Sequence, residues 1–178
     1  VLPGGAGEPH EPPAAGAASD PDRGALARAR RHTGEMLADS AASGLASVGC
    51  SVDRLGVLPT PGLQAYCERT GVPGVMITAS HNPPEYNGIK LVGASGVELT
   101  SERLDEVEIR LDADPARVPW DETGASRRVD GARRAYREGL LDAVDTHRIA
   151  AADLTVAIDP GHGAGSLTSP DFFRDLGC

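Results

Sequence analysis

Lysine and asparagine are nearly absent from this sequence. Of its seventeen basic residues one is a lysine, Lys90, and the other sixteen are arginines. The two asparagines, Asn82 and Asn87, lie with that lysine in one stretch of nine residues. A chain that otherwise avoids both residue types keeps them together here, which indicates that this stretch carries chemistry.

Other scarcities exclude whole classes of protein. The three cysteines have no paired or C-x-x-C spacing, which argues against a disulfide framework and a cysteine-based zinc site. No apolar run reaches the roughly 20 residues that span a bilayer, and no basic-then-apolar signal opens the chain. With 26 acidic against 17 basic residues, the net charge of -9 disfavours nucleic acid and anionic membranes as partners. We therefore expect a soluble cytoplasmic protein that binds neither.

Hydrophobic patterning divides the chain into three parts. Residues 1–31 are dominated by Ala, Gly, Pro and Arg without a helical or strand period, and predict a disordered or aberrant arm. Residues 32–150 alternate strand and helix patterns, which predicts an α/β domain with a layered mixed sheet and flanking helices. Residues 151–178 predict the start of a second α/β domain. Strands are predicted at 55–58, 75–78, 89–92 and 154–158, and helices at 33–48, 60–70, 101–111 and 132–144.

A serine follows the predicted buried strand at 75–78, at the end of the strand where α/β sheets place their ligands. After Ser80 come an imidazole, an amide and, beyond a turn, an ammonium group: His81, Asn82 and Lys90. Hydrogen-bond donors and a cation beside a serine stabilise a phosphoserine dianion or a phosphoryl group in transfer. The serine-hydrolase pattern G-x-S-x-G is absent around this serine. The stretch therefore favours phosphoryl chemistry.

Two short motifs carry a family resemblance. They are TASHNP at residues 78–83 and YNGIK at residues 86–90. Together they resemble the active-site signature of the α-D-phosphohexomutases, the superfamily of phosphoglucomutase, phosphomannomutase and phosphoglucosamine mutase. Further segments of the chain are similar to other parts of that family, the last of them to the opening of its second domain: TGEML at 33–37, PTP at 59–61 and VAIDPGHGAG at 156–165.

The resemblance implies a magnesium-dependent enzyme that interconverts the 1-phosphate and 6-phosphate of a hexose. Ser80 would carry the phosphoryl group and be a Mg²⁺ ligand, and hexose 1,6-bisphosphate would be the bound intermediate. His81 and Lys90 would act in catalysis, while Asn82 and Arg31 would contact the phosphate or the substrate. Glucose, mannose and glucosamine phosphates are not distinguished by this part of the family pattern.

The sequence also departs from the family pattern. The family's N-terminal strand with its G-I-R-G loop has no counterpart in residues 1–30, and its G-R-D-x-R segment stands at 27–31 as ARARR, without the aspartate. The family's D-G-D-x-D-R metal loop and its later sugar-binding and phosphate-binding loops are outside this sequence. We therefore expect an incomplete, inactive fragment. The alternative is a catalytically dead or vestigial sugar-phosphate-binding protein with the same fold.

Plainer interpretations of the same residues stay open. Lys90 can be a solvated surface charge, and His81 can be a structural histidine. Asn82 and Asn87 can hold the turn through side chain-to-backbone hydrogen bonds, which is the role we favour for them. His162 stands where the family usually has asparagine, in a segment that also resembles the zinc-binding start of N-acetylmuramoyl amidases. Zinc hydrolases, however, need about three protein ligands.

Overall fold

The computed structural model describes residues 22–178 as a mixed sheet with helices on both of its faces. This confirms the predicted α/β class. The strands are β1 Arg23–Arg28, β2 Ser51–Val57, β3 Gly74–Ile77, β4 Ile89–Val92 and β5 Ser126–Arg128. The helices are α1 Gly34–Ser47, α2 Thr60–Thr70, α3 Ser101–Glu108, α4 Ala132–Asp142, α5 Thr146–Ala151 and α6 Ser169–Asp175, with a 3-10 turn at Ala164–Leu167. Within this part of the chain no helix has the length and apolar character needed to cross a membrane.

The strand β1 lies in the middle of the sheet, whose strand order is β4-β3-β1-β2-β5. It pairs in parallel with β2 on one side and with β3 on the other. At the edges, β5 adds in parallel to β2, and β4 runs antiparallel to β3. The chain after β1 continues to β2 on one side of β1, and the chain after β3 continues to β4 on the other side of β3. The two connections therefore diverge from neighbouring carboxyl ends.

The predicted arm over residues 1–31 is wrong from residue 23 onward, because β1 occupies Arg23–Arg28. The inner residues of β1 are buried, and Ala25 is fully inaccessible. Alanine and glycine have a low strand preference, so the local sequence RGALAR carries no strand pattern. The strand forms because both of its edges find a parallel neighbour. Residues 1–21 lie outside the described residues, and the prediction for them stays a prediction.

Each face of the sheet has its own hydrophobic core. One core joins α1 to the three central strands, through the side chains of Ala38, Ala42, Leu26, Val52 and Ile77. The other joins α2 and α4 to the opposite face, through residues that include Leu63, Tyr66, Met76, Ala27 and Ala132. Because both faces are covered, the central strands are apolar on both sides, as parallel strands in layered α/β domains are.

A buried carboxylate joins β5 to the rest of the sheet. Asp53 of β2 is 2% exposed and accepts hydrogen bonds from the Tyr66 hydroxyl, at 2.9 Å, and from Nη2 of Arg127, at 3.1 Å. A carboxylate needs such partners when it is removed from water. Burial and the charge of Asp53 raise the pKa of Tyr66 above its usual range, so the phenol stays protonated and remains a donor.

Most predicted elements are present with shifted ends. Gly49 and Gly71 follow α1 and α2 with φ angles of +88° and +68°, as expected of glycines that end helices. The third helix ends at Glu108 rather than at 111, and β2 begins at Ser51 rather than at 55. The strand β5 and the helix α5 were not predicted from the sequence. The residues of β5 are polar, and their contact with Asp53 comes from a distant part of the chain.

The strand predicted at 154–158 is not formed. Residues 154–160 have no helix or strand, and their apolar side chains are exposed, Leu154 to 51%. A strand needs a hydrogen-bonding neighbour, and none of the strands within residues 22–178 pairs with this segment. The next helix, α6, packs on α4 instead. That residues 151–178 begin a second domain stays a prediction.

Gly74 provides a test of the packing between β3 and α2. A Cβ added there would lie 2.6 Å from the sulfur of Cys67 and 3.0 Å from Cδ1 of Leu63, both fully buried. We expect Gly74→Ala to lower the free energy of unfolding by about 1–3 kcal/mol, because the core has no room for a methyl group. The control is Gly44→Ala in α1, where nothing lies within 4 Å of the added methyl and about 0.5–1 kcal/mol should be gained. Equal urea midpoints for the two variants would contradict this account.

The cysteines should differ in reactivity. Burial raises the pKa of the Cys67 thiol to about 12, whereas Cys178 is exposed. At pH 8 we expect a thiol reagent to modify Cys178 at least about 10²-fold faster than Cys67, which reacts only after unfolding. The fast phase should vanish in Cys178→Ser.

Burial of Cys67 also makes stability depend on pH. Since the pKa of an unfolded thiol is about 8.5, the contribution of Cys67 to stability should be complete below that pH and decline as the pH rises toward 12.

Candidate active site

Two loops meet at the carboxyl ends of β1 and β3. The first is the turn at residues 29–33 between β1 and α1, and the second is the serine loop, residues 78–88, between β3 and β4. Open α/β sheets bind ligands in the crevice where the connections of neighbouring strands diverge, and this is that position. The serine predicted from sequence to be functional therefore lies where the topology favours a site.

The serine loop is closed at its base and projects into solvent. The amide of Thr78 donates to the carbonyl of Gly88 at 2.9 Å, and the amide of Asn82 donates to the carbonyl of Ala79 at 2.9 Å. Thr78 and Ala79 are buried, whereas residues 80–86 are all exposed. Because apolar burial contributes little beyond Ala79, the shape of the loop depends on polar contacts.

Ser80 has a left-handed backbone, with a φ of +50°. Such a conformation costs a residue with a Cβ about 1–2 kcal/mol, so other contacts must hold it. One of these is local, since the Ser80 amide donates to the hydroxyl of Thr78 at 3.2 Å. The Ser80 hydroxyl lies 3.4 Å from Nδ1 of His81. If Nδ1 carries no proton, the imidazole can accept the proton of this hydroxyl and later return it.

Arg31 connects the β1–α1 turn to the serine loop. Its Nη1 donates to the carbonyls of Pro83, at 2.8 Å, and Tyr86, at 3.1 Å. Its Nη2 donates to the carbonyls of Ser80, at 2.7 Å, and Asn82, at 2.8 Å. Arg31, which is predicted to contact the phosphate or the substrate, reaches the serine loop with its side chain. The guanidinium contacts the loop backbone, and no pattern in the sequence predicts these contacts.

Asn87 makes a second connection between the same two segments. Its Nδ2 donates to the hydroxyl of Thr33 at 3.2 Å, and its Oδ1 accepts from the amide of Gly88 at 3.1 Å. The second contact confirms that Asn87 holds the turn through a side chain-to-backbone hydrogen bond. Asn82 contributes to the loop through its backbone carbonyl and amide.

Lys90 takes no part in the loop contacts of Arg31 and Asn87 described above. It lies in β4 opposite Met76 of β3, and Met76 precedes Ser80 by four residues. Its ammonium group pairs with both carboxylate oxygens of Glu98, at 3.0 and 3.1 Å, and the lysine side chain is 42% exposed. The lysine thus has the ion pair of a partly solvated surface charge. Its role in catalysis stays a prediction.

A wide, strongly charged cleft of about 580 Å³ lies at the carboxyl ends of β1, β2 and β5. Its walls carry four arginines, Arg28, Arg54, Arg128 and Arg133. Two of them are paired with acidic side chains of α1: Arg28 with Glu35, at 3.2 Å, and Arg54 with Asp39. Sequence reasoning missed this cleft because its residues come from separate elements and share no motif.

The described residues do not form a Mg²⁺ or Zn²⁺ site by themselves. Among residues 22–178 there is no group of three or more His, Cys, Asp or Glu side chains that could hold a metal ion. Mg²⁺ requires about six oxygen ligands, and of those that the resemblance implies this part of the chain has only Ser80. His162, considered above for zinc, is exposed and has a φ of +60°.

Known proteins share this architecture and this stretch of sequence. A sequence model described as phosphoglucomutase/phosphomannomutase, alpha/beta/alpha domain I, matches residues 20–117. A phosphoglucomutase/phosphomannomutase of Thermococcus kodakarensis is 43% identical over 155 residues, which cover 86% of this chain and 34% of that protein. A phosphoglucosamine mutase of Methanococcus maripaludis is 36% identical over 154 residues, or 86% of this chain and 33% of that protein.

Solved structures agree with the sequence relatives. A phosphoglucomutase/phosphomannomutase family protein from Burkholderia thailandensis superposes with a TM-score of 0.66 at 25% identity, over 88% of this chain and 34% of that one. A protein from Thermus thermophilus superposes with a TM-score of 0.73 at 28% identity, over 87% of this chain and 35% of that one. The chain spans about a third of the length of the relatives it matches. Because the family model covers more than half of the chain, including β1 and the serine loop, this chain belongs to the phosphoglucomutase/phosphomannomutase family of α-D-phosphohexomutases.

Proposed function

We propose that this chain carries the phosphoryl-transfer serine of a phosphohexomutase, an intramolecular phosphotransferase that interconverts the 1-phosphate and 6-phosphate of a hexose. The observation that carries the proposal is the placement of Ser80. Its hydroxyl is exposed at the point of the sheet where ligands bind, in a strained backbone conformation, with an imidazole nitrogen 3.4 Å away. The names of the relatives support the same reaction class.

The proposed reaction has two half-steps that balance. In the first, a hydroxyl oxygen of a hexose phosphate attacks the phosphorus of phospho-Ser80, the bond from phosphorus to the serine oxygen breaks, and a bisphosphate results. In the second, the serine oxygen attacks the other phosphate of the reoriented bisphosphate, and the sugar oxygen leaves. In each half-step a proton moves from the attacking hydroxyl to the departing oxygen. His81 would hold that proton at the serine oxygen, a role supported by the 3.4 Å between its Nδ1 and the Ser80 hydroxyl.

The remaining predicted residues have narrower roles in this proposal. The side-chain carboxamide of Asn82 would donate a hydrogen bond to the transferring phosphoryl group, and the ammonium group of Lys90 would balance its charge. Lys90 would have to leave its ion pair with Glu98 to do so, which costs little for a partly exposed pair. We also include Mg²⁺ and hexose 1,6-bisphosphate as cofactors. Ser80 would supply one oxygen ligand to the metal, and the other ligands would lie in the family's metal loop beyond residue 178, so residues 1–178 alone are proposed to be inactive.

The substrate is proposed at the level of a hexose phosphate. The relatives carry the names of glucose, mannose and glucosamine enzymes, so the resemblance does not select one sugar. The net charge of -9 supports a small-molecule partner rather than a nucleic acid or a membrane, and a cytoplasmic location goes with that proposal.

The proposal predicts a phosphoryl group on Ser80. The protein should be isolated from its own cells and analysed by intact-mass and phosphopeptide mass spectrometry, and then incubated with glucose 1,6-bisphosphate labelled in phosphorus. We expect label on the peptide of that cellular protein that contains residues 78–88, whereas residues 1–178 alone should take none, because the family's metal loop is outside them. In Ser80→Ala the incorporation should fall by at least about 10³-fold, because the nucleophile is gone. Ser95→Ala, at another exposed loop serine, is the matched control and should be labelled like the wild type.

Two results would overturn the assignment. Label that persists in Ser80→Ala would place the phosphoryl group elsewhere. An unmodified Ser80 that also takes no label, in a chain that still binds hexose phosphates, would identify a sugar-phosphate-binding protein without turnover.

A further inference from the structure

Arg31 directs both of its Nη atoms to the serine loop. A guanidinium carries four hydrogens on its two Nη atoms, and here four backbone carbonyls spread over residues 80–86 accept from them at 2.7 to 3.1 Å. Charge-assisted hydrogen bonds of this length are among the stronger polar contacts in proteins. A single side chain therefore joins carbonyls from both ends of the exposed part of the loop.

The β1–α1 turn that carries Arg31 is held in place by backbone hydrogen bonds. The amide of Ala29, two residues earlier, donates to the carbonyl of Ile77 in β3 at 2.8 Å. The carbonyl of Arg31 itself accepts from the amide of Gly34, at the start of α1, at 3.0 Å. The guanidinium thus projects from a turn that is tied to β3 and α1, toward a loop whose exposed residues are held by few other contacts.

Two of the contacts of Arg31 lie at the strained residue Ser80 and just after it. Ser80 has a φ of +50°, and Nη2 of Arg31 binds the carbonyl of Ser80 together with that of Asn82, two residues on. Carbonyls that converge on one nitrogen fix the peptide planes on the carboxyl side of Ser80. The Thr78 hydroxyl fixes the amide on the other side. A left-handed serine persists only where its surroundings determine its conformation in this way.

We propose that Arg31 is a positioning residue that holds Ser80 in its left-handed conformation by clamping the backbone of the serine loop. Lysine cannot replace it, because three hydrogens on one nitrogen do not reach four carbonyls arranged around a planar fork. The consequence for phosphoryl transfer rests on the proposed function of Ser80. The clamp itself does not, since it is a property of the backbone of the loop.

The test compares Arg31→Lys with Arg30→Lys in the full chain. Arg30 lies on the same turn, and its guanidinium donates to the hydroxyl of Ser166 rather than to the loop. Arg30→Lys therefore makes the same chemical change as Arg31→Lys without removing a loop contact. The measured quantity is the rate of amide hydrogen exchange, followed by NMR, at Asn82 and Tyr86, whose backbone amides donate within the loop. We expect Arg31→Lys to speed their exchange about tenfold or more and Arg30→Lys to leave it within about twofold.

Two internal readouts separate the clamp from a loss of folding. The amide of Ala29, which donates to Ile77 of β3, reports on the sheet and should exchange at the wild-type rate in both variants. The coupling between the amide and α protons of Ser80 reports on its φ and should change in Arg31→Lys alone. Unchanged loop exchange and coupling in Arg31→Lys would overturn the proposal. So would loss of Ala29 protection in parallel with the loop, since Arg31 would then stabilise the sheet.

Labelling by glucose 1,6-bisphosphate tests the consequence for catalysis. Where wild-type Ser80 takes label, Arg31→Lys should lower the maximal labelling rate by at least about tenfold and change the half-saturating concentration less, because misplacement of the nucleophile affects the transition state most. A wild-type protein from its own cells that takes no label, with a loop that loosens in Arg31→Lys, would reject the proposed function and leave the clamp supported. Normal labelling of Arg31→Lys with a loosened loop would confine the clamp to a structural role.

Discussion

The pairing of β1 with both β2 and β3 is the constraint on which the site depends. Because β1 and β3 run in parallel as neighbours, their carboxyl ends are adjacent, and the turn after β1 faces the loop after β3. Arg31 and Ser80 are distant in sequence and meet only through this pairing. A change in strand order would separate the arginine from the serine loop, even with every motif kept.

The domain is stabilised in two different ways. The sheet and its helices rely on burial of apolar side chains in two cores, one on each face. The serine loop lies beyond these cores and relies on hydrogen bonds to Arg31, Asn87 and Thr78. Binding and catalytic loops are commonly the less stable parts of a fold, because they must stay accessible. Polar clamping gives such a loop a defined shape without covering its serine.

Lys90 and Arg31 illustrate why proximity in sequence does not establish a role. Lys90 is close to Ser80 along the chain, yet the antiparallel register of β4 sets it opposite Met76 and beside Glu98. Arg31 is far from Ser80 along the chain and touches its carbonyl. In both residues the strand pairing, rather than the motif, decides which neighbour the charged group meets.

The sequence alone determined the family resemblance, the α/β class, the helices that glycines end, and Ser80 at the end of a buried strand. Those features depend on local patterns, such as apolar runs, turn residues and a contiguous motif. Only the tertiary structure decided that RGALAR is the central strand, that 154–158 is unpaired, and that Arg31 binds the loop backbone. Each of these depends on hydrogen bonds between segments far apart in the chain, and such bonds leave no periodic trace in the residues that make them.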